Sequence, residues 1–146
     1  GRYGLKNKEE LWRTQSELRE YRREARRLIG EAQGDVSVAE ALGEEFLDRL
    51  RRYGILSADD DISKVLGLDV SDILERRLQT IVYRQGLAST PKQARQFIVH
   101  EHITVNGARV TRPSKMVEET EANAIAFDEN SPLADSLHPA RAEGQE

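Results

Sequence analysis

A predicted helix that runs directly into a predicted hairpin, within residues 90–110, limits the possible folds of this chain most. The stretch reads TPKQARQFIVHEHITVNGARV. Thr90 suits the N-cap of a helix, Pro91 the first helical position, and Gln93 the closing residue of a capping box. The pattern therefore predicts a short helix that begins at Thr90.

The second half of the stretch predicts two antiparallel strands. Ile103 and Val105 alternate with polar residues and precede Asn106-Gly107, the strongest short-range signal for a hairpin turn. The later run AIAF at 124–127 is a further candidate strand that could join the hairpin. These elements predict an α+β fold, with an N-terminal helical region followed by a small domain of helices packed on a short antiparallel sheet.

Four further helices are predicted upstream from capping residues and apolar spacing. They cover residues 7–29, 37–53, 62–66 and 71–85. Asn7 suits the cap of the first helix and Ser37, with Glu40, a capping box for the second, while Gly30 and Gly54 are expected to end them. The buried stripe expected on the second helix comprises Leu42, Phe46, Leu50 and Tyr53.

The predicted elements divide the chain into three parts. These are a mainly helical region at 1–70, a small α+β domain at 71–130, and an acidic, flexible tail at 131–146. The tail is expected to be extended or disordered because it is mostly polar and contains two of the four prolines. The sequence starts at Gly1 rather than with methionine, so we expect that part of the natural N-terminus precedes it.

Basic and acidic residues are segregated along the chain, although the formal net charge is −4. Residues 76–116 contain 8 Lys and Arg against 1 acidic residue, and residues 1–28 contain 9 against 5. Residues 29–75 and 117–146 are acidic, with net charges of −8 and −7. Two basic segments of this kind predict two surfaces that bind a polyanion. A merely solvated surface explains these basic segments less well, because residues 76–116 contain almost no acidic residue to balance their charge.

The residue types needed for most catalytic and metal sites are missing. There is no cysteine, which removes disulfides and thiolate zinc sites. His100 and His102 form an H-x-H pair, but His138 is the sole remaining histidine and lies far along the chain. Asp59–Asp61 are better explained as caps of the helix at 62–66. We therefore expect no enzyme activity, no metal and no cofactor, and no membrane span, since no run of about 18 apolar residues occurs.

The first basic surface is expected on the helix at 7–29. At about 100° per residue, five arginines gather on one flank of this helix. They are Arg19, Arg22, Arg23, Arg26 and Arg27. Glu20 and Glu24 could pair with arginines three or four residues away, which would make this a solvated helix. Five arginines exceed what pairing needs, so we predict that the flank contacts phosphates.

The second basic surface is expected around the helix and hairpin of residues 90–110. The side chains expected to form it are Lys92, Arg95, Gln96, Arg109, Arg112 and Lys115. The helix N-terminus at Thr90–Gln93 offers backbone N–H groups to a phosphate. Such a surface suits the shape and backbone of folded RNA. Double-stranded DNA is the weaker option, because no pair of recognition helices or dimer element is evident.

Two stretches resemble a known family. The stretch ILERRLQTIVYRQGLASTPKQARQFIVHEHITVNGARVTRPSKMV, with V-Y-R-x-G-x-A-x-T, Q-A-R-Q, H-x-H-I, V-N-G and P-S, resembles the RNA-binding domain named after small-ribosomal-subunit protein four. Upstream, RYGLKNKEELWRTQSELREYRREARRLIG resembles the helical N-terminal part of the archaeal form of that ribosomal protein. Together the two stretches cover most of the chain.

The resemblance implies a structural component of the small ribosomal subunit, located in the cytoplasm within the ribosome. Members of the family bind small-subunit ribosomal RNA at a multi-helix junction early in assembly. They also lie near the channel through which messenger RNA enters. Neighbouring small-subunit proteins are further implied partners. The contacts implied in the domain are Arg76, Arg77, Tyr83, Lys92, Gln93, Arg95, Gln96, Asn106, Arg109, Ser114 and Lys115. The first helix would add Arg19, Arg22, Arg23 and Arg26.

The chain departs from the family pattern in two ways. The family usually has glycine at the position of Glu101, and glutamate in a left-handed backbone there would be strained by roughly 1 kcal/mol. The acidic segments are also unusual for a ribosomal protein, and we hypothesise that they reflect a high-salt cytoplasm. We expect the acidic residues of 29–75 and 117–146 to face mainly solvent.

Two alternative functions share this type of domain. In an RNA-modifying enzyme such as a pseudouridine synthase, or in an aminoacyl-tRNA synthetase, it would be an appendage, but the short segment after the motif cannot supply a catalytic domain. A stand-alone RNA-binding factor for ribosome rescue or stress would not need the arginine-rich N-terminal helix. Fold alone does not decide between these functions.

Overall fold

The computed structural model of the protein describes residues 2–141. Its helices are α1 (Lys8–Glu31), α2 (Val36–Leu42), α3 (Glu44–Arg52), α4 (Ser63–Leu66), α5 (Val70–Leu74), α6 (Leu78–Arg84), α7 (Pro91–Val99) and α8 (Glu119–Ala122). Its strands are β1 (Ile103–Val105), β2 (Ala108–Arg109) and β3 (Ile125–Phe127), and a 3-10 turn covers Pro132–Ala134. The chain forms two compact units: the helical unit, Asn7–Leu74, and the sheet unit, which combines the described residues up to Lys6 with those from Glu75 onward.

The 24-residue helix α1 organises the helical unit. As predicted, Asn7 caps it, and the N–H of Glu10 donates to Asn7 Oδ1 at 3.0 Å. Its buried face comprises Thr14, Leu18, Tyr21, Ala25 and Leu28. The prediction that Gly30 ends the helix is wrong. The left-handed residues that turn the chain come later, at Gln33 and Gly34, whose φ angles are 53° and 82°.

The predicted helix at 37–53 is instead two helices, α2 and α3, that meet at Gly43. Helix α2 starts earlier than predicted because Asp35 is its cap: Asp35 Oδ1 accepts the N–H of Ser37 at 3.0 Å. A Cβ atom at Gly43 would lie only 2.5 Å from Leu28 Cδ1. Glycine at this position therefore allows the backbone to approach α1 closely.

This break changes which side chains are buried. Leu42 is 53% exposed, although the sequence predicts it to be buried, whereas Leu50 is buried as predicted. Glu40 does not close a capping box. Its Oε1 accepts the N–H of Ile62 at 2.9 Å, and its Oε2 accepts a hydrogen bond from Arg51 at 3.2 Å. The carboxylate therefore ties α2 to the start of α4.

The prediction of one long helix at 71–85 is wrong, because α5 and α6 are separated at residues 75–77. Arg77 is extended, with φ −76° and ψ 148°, and forms an isolated antiparallel bridge with Met116. The N–H of Leu78 donates to the carbonyl of Lys115 at 2.8 Å. The segment after the hairpin therefore pairs with backbone groups that a continuous helix would have satisfied internally.

The hairpin is confirmed, and β3 joins it as predicted. The antiparallel sheet has the order β2-β1-β3. Thr104 pairs with Arg109 in β2 and with Ala126 in β3. Asn106 and Gly107 have φ angles of 53° and 81°, as a type I′ turn requires. The α+β fold class is therefore confirmed.

The core of the sheet unit joins α6, α7 and the sheet. Its buried side chains are Leu78, Ile81, Val82, Ala88, Ala94, Phe97, Ile98, Ile103, Val105, Val117, Ile125 and Leu133. The rings of Phe97 and Phe127 meet edge to face, with centroids 6.0 Å apart. The start of α7 and the hairpin are therefore fixed on one small aliphatic scaffold.

Parts of residues 131–141 contact this core, unlike the extended or disordered segment that the sequence predicts. Leu133 is only 4% exposed. The guanidinium of Arg141 lies 4.8 Å from the centroid of the Phe127 ring. One leucine and one cation–π contact therefore anchor a segment whose composition is mostly polar. Residues 142–146 of the predicted tail lie outside the described residues.

Acidic side chains lie mainly at the surface, as predicted. None of those in residues 29–75 is buried. From residue 117 onward, Asp128 is the one buried acidic residue in the described part of the chain. Within residues 2–141, no helix combines the length and the apolar composition that crossing a bilayer requires.

Candidate nucleic-acid interface

The N-terminus of α7 is capped by Thr90 as predicted, and Thr90 Oγ1 accepts the N–H of Gln93 at 3.0 Å. The reciprocal bond differs from the predicted capping box, because Gln93 Oε1 accepts the N–H of Ser89, at 2.6 Å, rather than that of Thr90. Gln93 Nε2 donates to the carbonyl of Ala140 at 3.1 Å. Both ends of the Gln93 amide are engaged within the protein, so contact with RNA would require one of these bonds to break.

Arg95, which the sequence predicts to lie on the outer surface, instead anchors the N-terminal segment at residues 2–6. Its Nε donates to the carbonyl of Gly4 at 3.2 Å and its Nη2 to Gln79 Oε1 at 3.1 Å. Gln79 is 1% exposed and donates in turn to the carbonyls of Gly4 at 3.0 Å and Pro91 at 2.9 Å. No local sequence signal indicates this network, because its members are far apart along the chain.

The arginines between α5 and α6, which the family resemblance implies as RNA contacts, are partly or fully covered by the protein. Arg77 is only 3% exposed. Arg76 is half-buried, and its Nη2 donates to the carbonyl of Val117 at 3.3 Å. Lys115 Nζ lies 3.4 Å from Glu121 Oε2. Arg76 and Lys115 therefore take part in packing the segment that follows the hairpin.

The remaining side chains predicted to form the interface are more accessible. Those exposed around α7 and the hairpin are Lys92, Gln96, Asn106, Arg109, Arg112 and Ser114. Tyr83 is half-buried against the core. Lys92 and Arg112 make no ion pair with any side chain in residues 2–141. These two cations are therefore available to phosphates without breaking an internal contact.

Arg109 is exposed but paired. Its Nε contacts Asp128 Oδ2, and its Nη1 lies 3.7 Å from Glu101 Oε2. The N–H of Asn130, at 3.2 Å, and the Arg109 guanidinium together lower the pKa of Asp128. Both carboxylates compete with any phosphate for Arg109.

Glu101 adopts the left-handed backbone expected where the family resemblance places glycine, with a φ of 67°. Replacing Glu101 with glycine is expected to raise the free energy of unfolding of the sheet unit by about 0.5–1 kcal/mol, because glycine removes the strain. The exposed pair with Arg109 offsets this only slightly. The midpoint of urea denaturation measures the change.

The matched control for this variant is Glu129→Gly. Glu129 is also exposed and acidic, but it has no positive φ. Glycine there should give no gain in stability. A lower midpoint for Glu101→Gly than for the wild type would show that the contact with Arg109 outweighs the backbone strain.

The five predicted arginines of α1 divide into two groups. Arg27 pairs with Glu24 at 2.6 Å and with Glu31 at 2.7 Å. Arg22 donates a hydrogen bond to the carbonyl of Leu68. The exposed remainder consists of Arg19, Arg23 and Arg26. Pairing with acidic residues of the same helix, the alternative to phosphate contact, therefore applies to Arg27. The side chains of Arg19, Arg23 and Arg26 remain accessible to phosphates.

Two of the residues considered as metal ligands, His102 and Asp61, have other contacts. His102 Nδ1 lies 2.7 Å from Ser131 Oγ, and its ring meets Phe97 edge-on. Asp61 Oδ1 accepts the N–H of Ser63 at 2.8 Å, as a cap does. Across residues 2–141, no group of three or more His, Cys, Asp or Glu side chains is placed to hold a metal ion.

Comparison with known proteins identifies the family to which this architecture belongs. The family described as S4 domain matches residues 76–122. The chain is 67% identical to the small ribosomal subunit protein uS4 of Natronomonas pharaonis, over 99% of this chain and 83% of that protein. It is 63% identical to the protein of the same name from Haloarcula marismortui, over 100% of this chain and 83% of the relative. The chain therefore belongs to the family of small ribosomal subunit protein uS4.

Proposed function

We propose that this chain is a structural, non-enzymatic component of the small ribosomal subunit and that it binds the subunit's ribosomal RNA. The observation that carries the proposal is identity of 63–67%, over nearly the whole chain, to relatives named as small ribosomal subunit proteins. This role places the protein in the cytoplasm, within the ribosome. The S4 domain at residues 76–122 supplies one of its RNA-binding surfaces.

Each compact unit contributes cations to RNA binding. In the sheet unit, the exposed side chains of Lys92 and Arg112 contact phosphates, and the polar neighbours Gln96, Asn106 and Ser114 add hydrogen bonds. In the helical unit, the contacts come from Arg19, Arg23 and Arg26 of α1. Contacts of this type follow the backbone and shape of folded RNA rather than its base sequence.

Replacing both Lys92 and Arg112 with alanine is expected to weaken binding to small-subunit ribosomal RNA by about tenfold or more. The two side chains are exposed and unpaired with other side chains of residues 2–141, so folding should be unchanged. The slope of log affinity against log salt should fall by about 1 for each phosphate that the variant no longer neutralises. Filter binding or anisotropy across a salt series measures both quantities.

The control for this experiment is Lys64→Ala. Lys64 is an exposed cation on α4, within an acidic stretch of the sequence, and should not contact RNA. Its removal should leave the affinity and the salt slope unchanged. Equal reductions in affinity for Lys64→Ala and for the double variant would mean that net charge, and not a surface around α7, determines binding.

The finer details of the role follow from the family resemblance. We propose that the chain binds at a junction of several RNA helices early in subunit assembly, next to neighbouring small-subunit proteins. The same position would bring it close to the channel through which messenger RNA enters. Chemical footprinting of the bound RNA would test the first point, because protection should cluster at one junction and not spread along the helices.

A further inference from the structure

The single tryptophan of the chain lies on the surface. Trp12 is 59% exposed on α1, although a large aromatic side chain gains most when it is buried. None of the ring contacts in residues 2–141 involves it. An exposed indole that has no ring contact within these residues is suited to contact another molecule.

The residues that share this face of α1 are mainly basic. At about 100° per residue, the side chains that project within about 40° of Trp12 come from positions four, seven, eleven and fourteen residues away. They are Lys8, Ser16, Arg19, Arg23 and Arg26. With Trp12, these residues form the Trp12 stripe, which runs along the solvent side of the helix, opposite the buried face. Arg19 and Arg23 are about 6 Å apart along the helix axis, and Trp12 precedes Arg19 by about 10 Å.

The stripe contains four cations and no acidic residue. Of the acidic residues on its borders, Glu9 pairs with Arg13 at 2.7 Å and Glu24 with Arg27 at 2.6 Å, whereas Glu20 makes no ion pair within residues 2–141. Inside the stripe, Arg19 Nη2 donates to Ser16 Oγ at 2.9 Å, which leaves its charge uncompensated. The face therefore combines an exposed aromatic ring with a row of uncompensated positive charge.

We propose that Trp12 stacks on an unpaired nucleobase of RNA whose backbone lies along Arg19, Arg23 and Arg26. The chemistry on both sides matches, because every base has a face that stacks on an indole and each phosphate accepts hydrogen bonds from a guanidinium. A protein partner is the other occupant that an exposed tryptophan can have. Four cations without an acid favour a polyanion. The inference rests on the proposed binding of ribosomal RNA and assigns to it a stacking contact on the helical unit.

The test uses the tryptophan as its own reporter, since no other indole contributes fluorescence. Full-length small-subunit ribosomal RNA is titrated into the intact chain while Trp12 emission and its quenching by acrylamide are recorded. Binding is followed separately by the anisotropy of end-labelled RNA. Emission should fall, and the acrylamide quenching constant should drop, in parallel with binding.

Three variants separate stacking from other effects. Trp12→Ala should weaken binding at least about fivefold, while Trp12→Phe, which keeps an aromatic face, should retain most of the affinity. Leu42→Ala removes a comparably exposed apolar side chain from α2 and should change nothing. Circular dichroism confirms that each variant is folded.

The outcomes decide between the two levels of the proposal. If the RNA does not bind the wild-type chain at all, the proposed function fails. If the RNA binds but Trp12 stays fully quenchable and Trp12→Ala binds like the wild type, the stacking inference alone is wrong. Protection of Trp12 only after other small-subunit proteins are added would also overturn it, and would assign the tryptophan to a protein interface.

Discussion

Replacing Phe97 with alanine is expected to lower the free energy of unfolding of the sheet unit by about 3–5 kcal/mol. Phe97 is 5% exposed, and its ring meets those of Phe127 at 6.0 Å and His102 at 6.2 Å. Its removal would leave a cavity between α7 and the sheet in a core whose other buried side chains are aliphatic. Because this domain is small, a destabilisation of that size removes much of its stability.

Two measurements would follow this change. Urea denaturation gives the decrease in the free energy of unfolding. Hydrogen exchange of the β1 amides reports on the sheet unit alone. This second measurement is needed because the two compact units need not unfold together. The control is Val99→Ala on the same helix, since Val99 is 48% exposed and its truncation should cost less than about 0.5 kcal/mol. Equal losses of stability for Phe97→Ala and Val99→Ala would show that burial of Phe97 in this core does not stabilise the sheet unit.

Replacing Gln79 with alanine is expected to destabilise the sheet unit by about 2–4 kcal/mol. Gln79 is 1% exposed and its amide satisfies the carbonyls of Gly4 and Pro91 and a guanidinium N–H of Arg95. Alanine would remove all three of these bonds from a buried position and would leave the Gly4 carbonyl with the Arg95 Nε donor alone, which costs more than the original bonds contribute. Urea denaturation measures the destabilisation, and faster hydrogen exchange at residues 2–6 would show that the N-terminal segment is released.

The matched control is Gln96→Ala, because Gln96 is exposed on the adjacent helix. It should change stability by less than about 0.5 kcal/mol. Gly4→Ala approaches the same network from the other side: a Cβ there would lie 2.6 Å from Gln79 Nε2, and the φ of Gly4 is 62°. It should release the N-terminal segment as Gln79→Ala does. Retention of wild-type stability in both Gln79→Ala and Gly4→Ala would contradict a structural role for this network.

Local signals in the sequence predict local structure well. The Asn7 and Thr90 caps, the Asn106-Gly107 turn and the strand within 124–127 all depend on residues a few positions apart. The break between α5 and α6 does not depend on nearby residues. It depends on the pairing of Arg77 with Met116, which lies after the hairpin in the sequence. Tertiary pairing of this kind overrides a continuous helical pattern, and no count of helical spacing could reveal it.

The same distinction applies to the candidate interface. Sequence alone identifies Lys92 and Arg112 as basic, and the structure finds them exposed. The sequence also predicts Arg95 and Gln93 as interface residues. In the structure their internal partners, Gly4 and Ala140, lie 91 and 47 residues away in sequence. Composition shows where positive charge is available, but long-range contacts determine which cations are already committed to the protein.

The acidic surface and the basic interface are compatible. Exposed carboxylates dominate residues 29–75, whereas Lys92, Arg112 and the Trp12 stripe keep their positive charge unpaired by acidic side chains in the described residues. The named relatives include proteins of Natronomonas pharaonis and Haloarcula marismortui, which are haloarchaea. This similarity supports the hypothesis that the acidic segments adapt the surface to a high-salt cytoplasm. Phosphate contacts would then have to survive strong screening.

Equilibrium binding of the wild-type chain to small-subunit ribosomal RNA, compared with an unrelated RNA of equal length, tests the central claim most directly. The salt series should extend from low ionic strength to molar concentration, because screening weakens nonspecific phosphate contacts first. We expect tighter binding to the small-subunit RNA that persists at molar salt. Equal affinity for the two RNAs, disappearing as salt rises, would contradict a ribosomal role and favour a stand-alone rescue or stress factor.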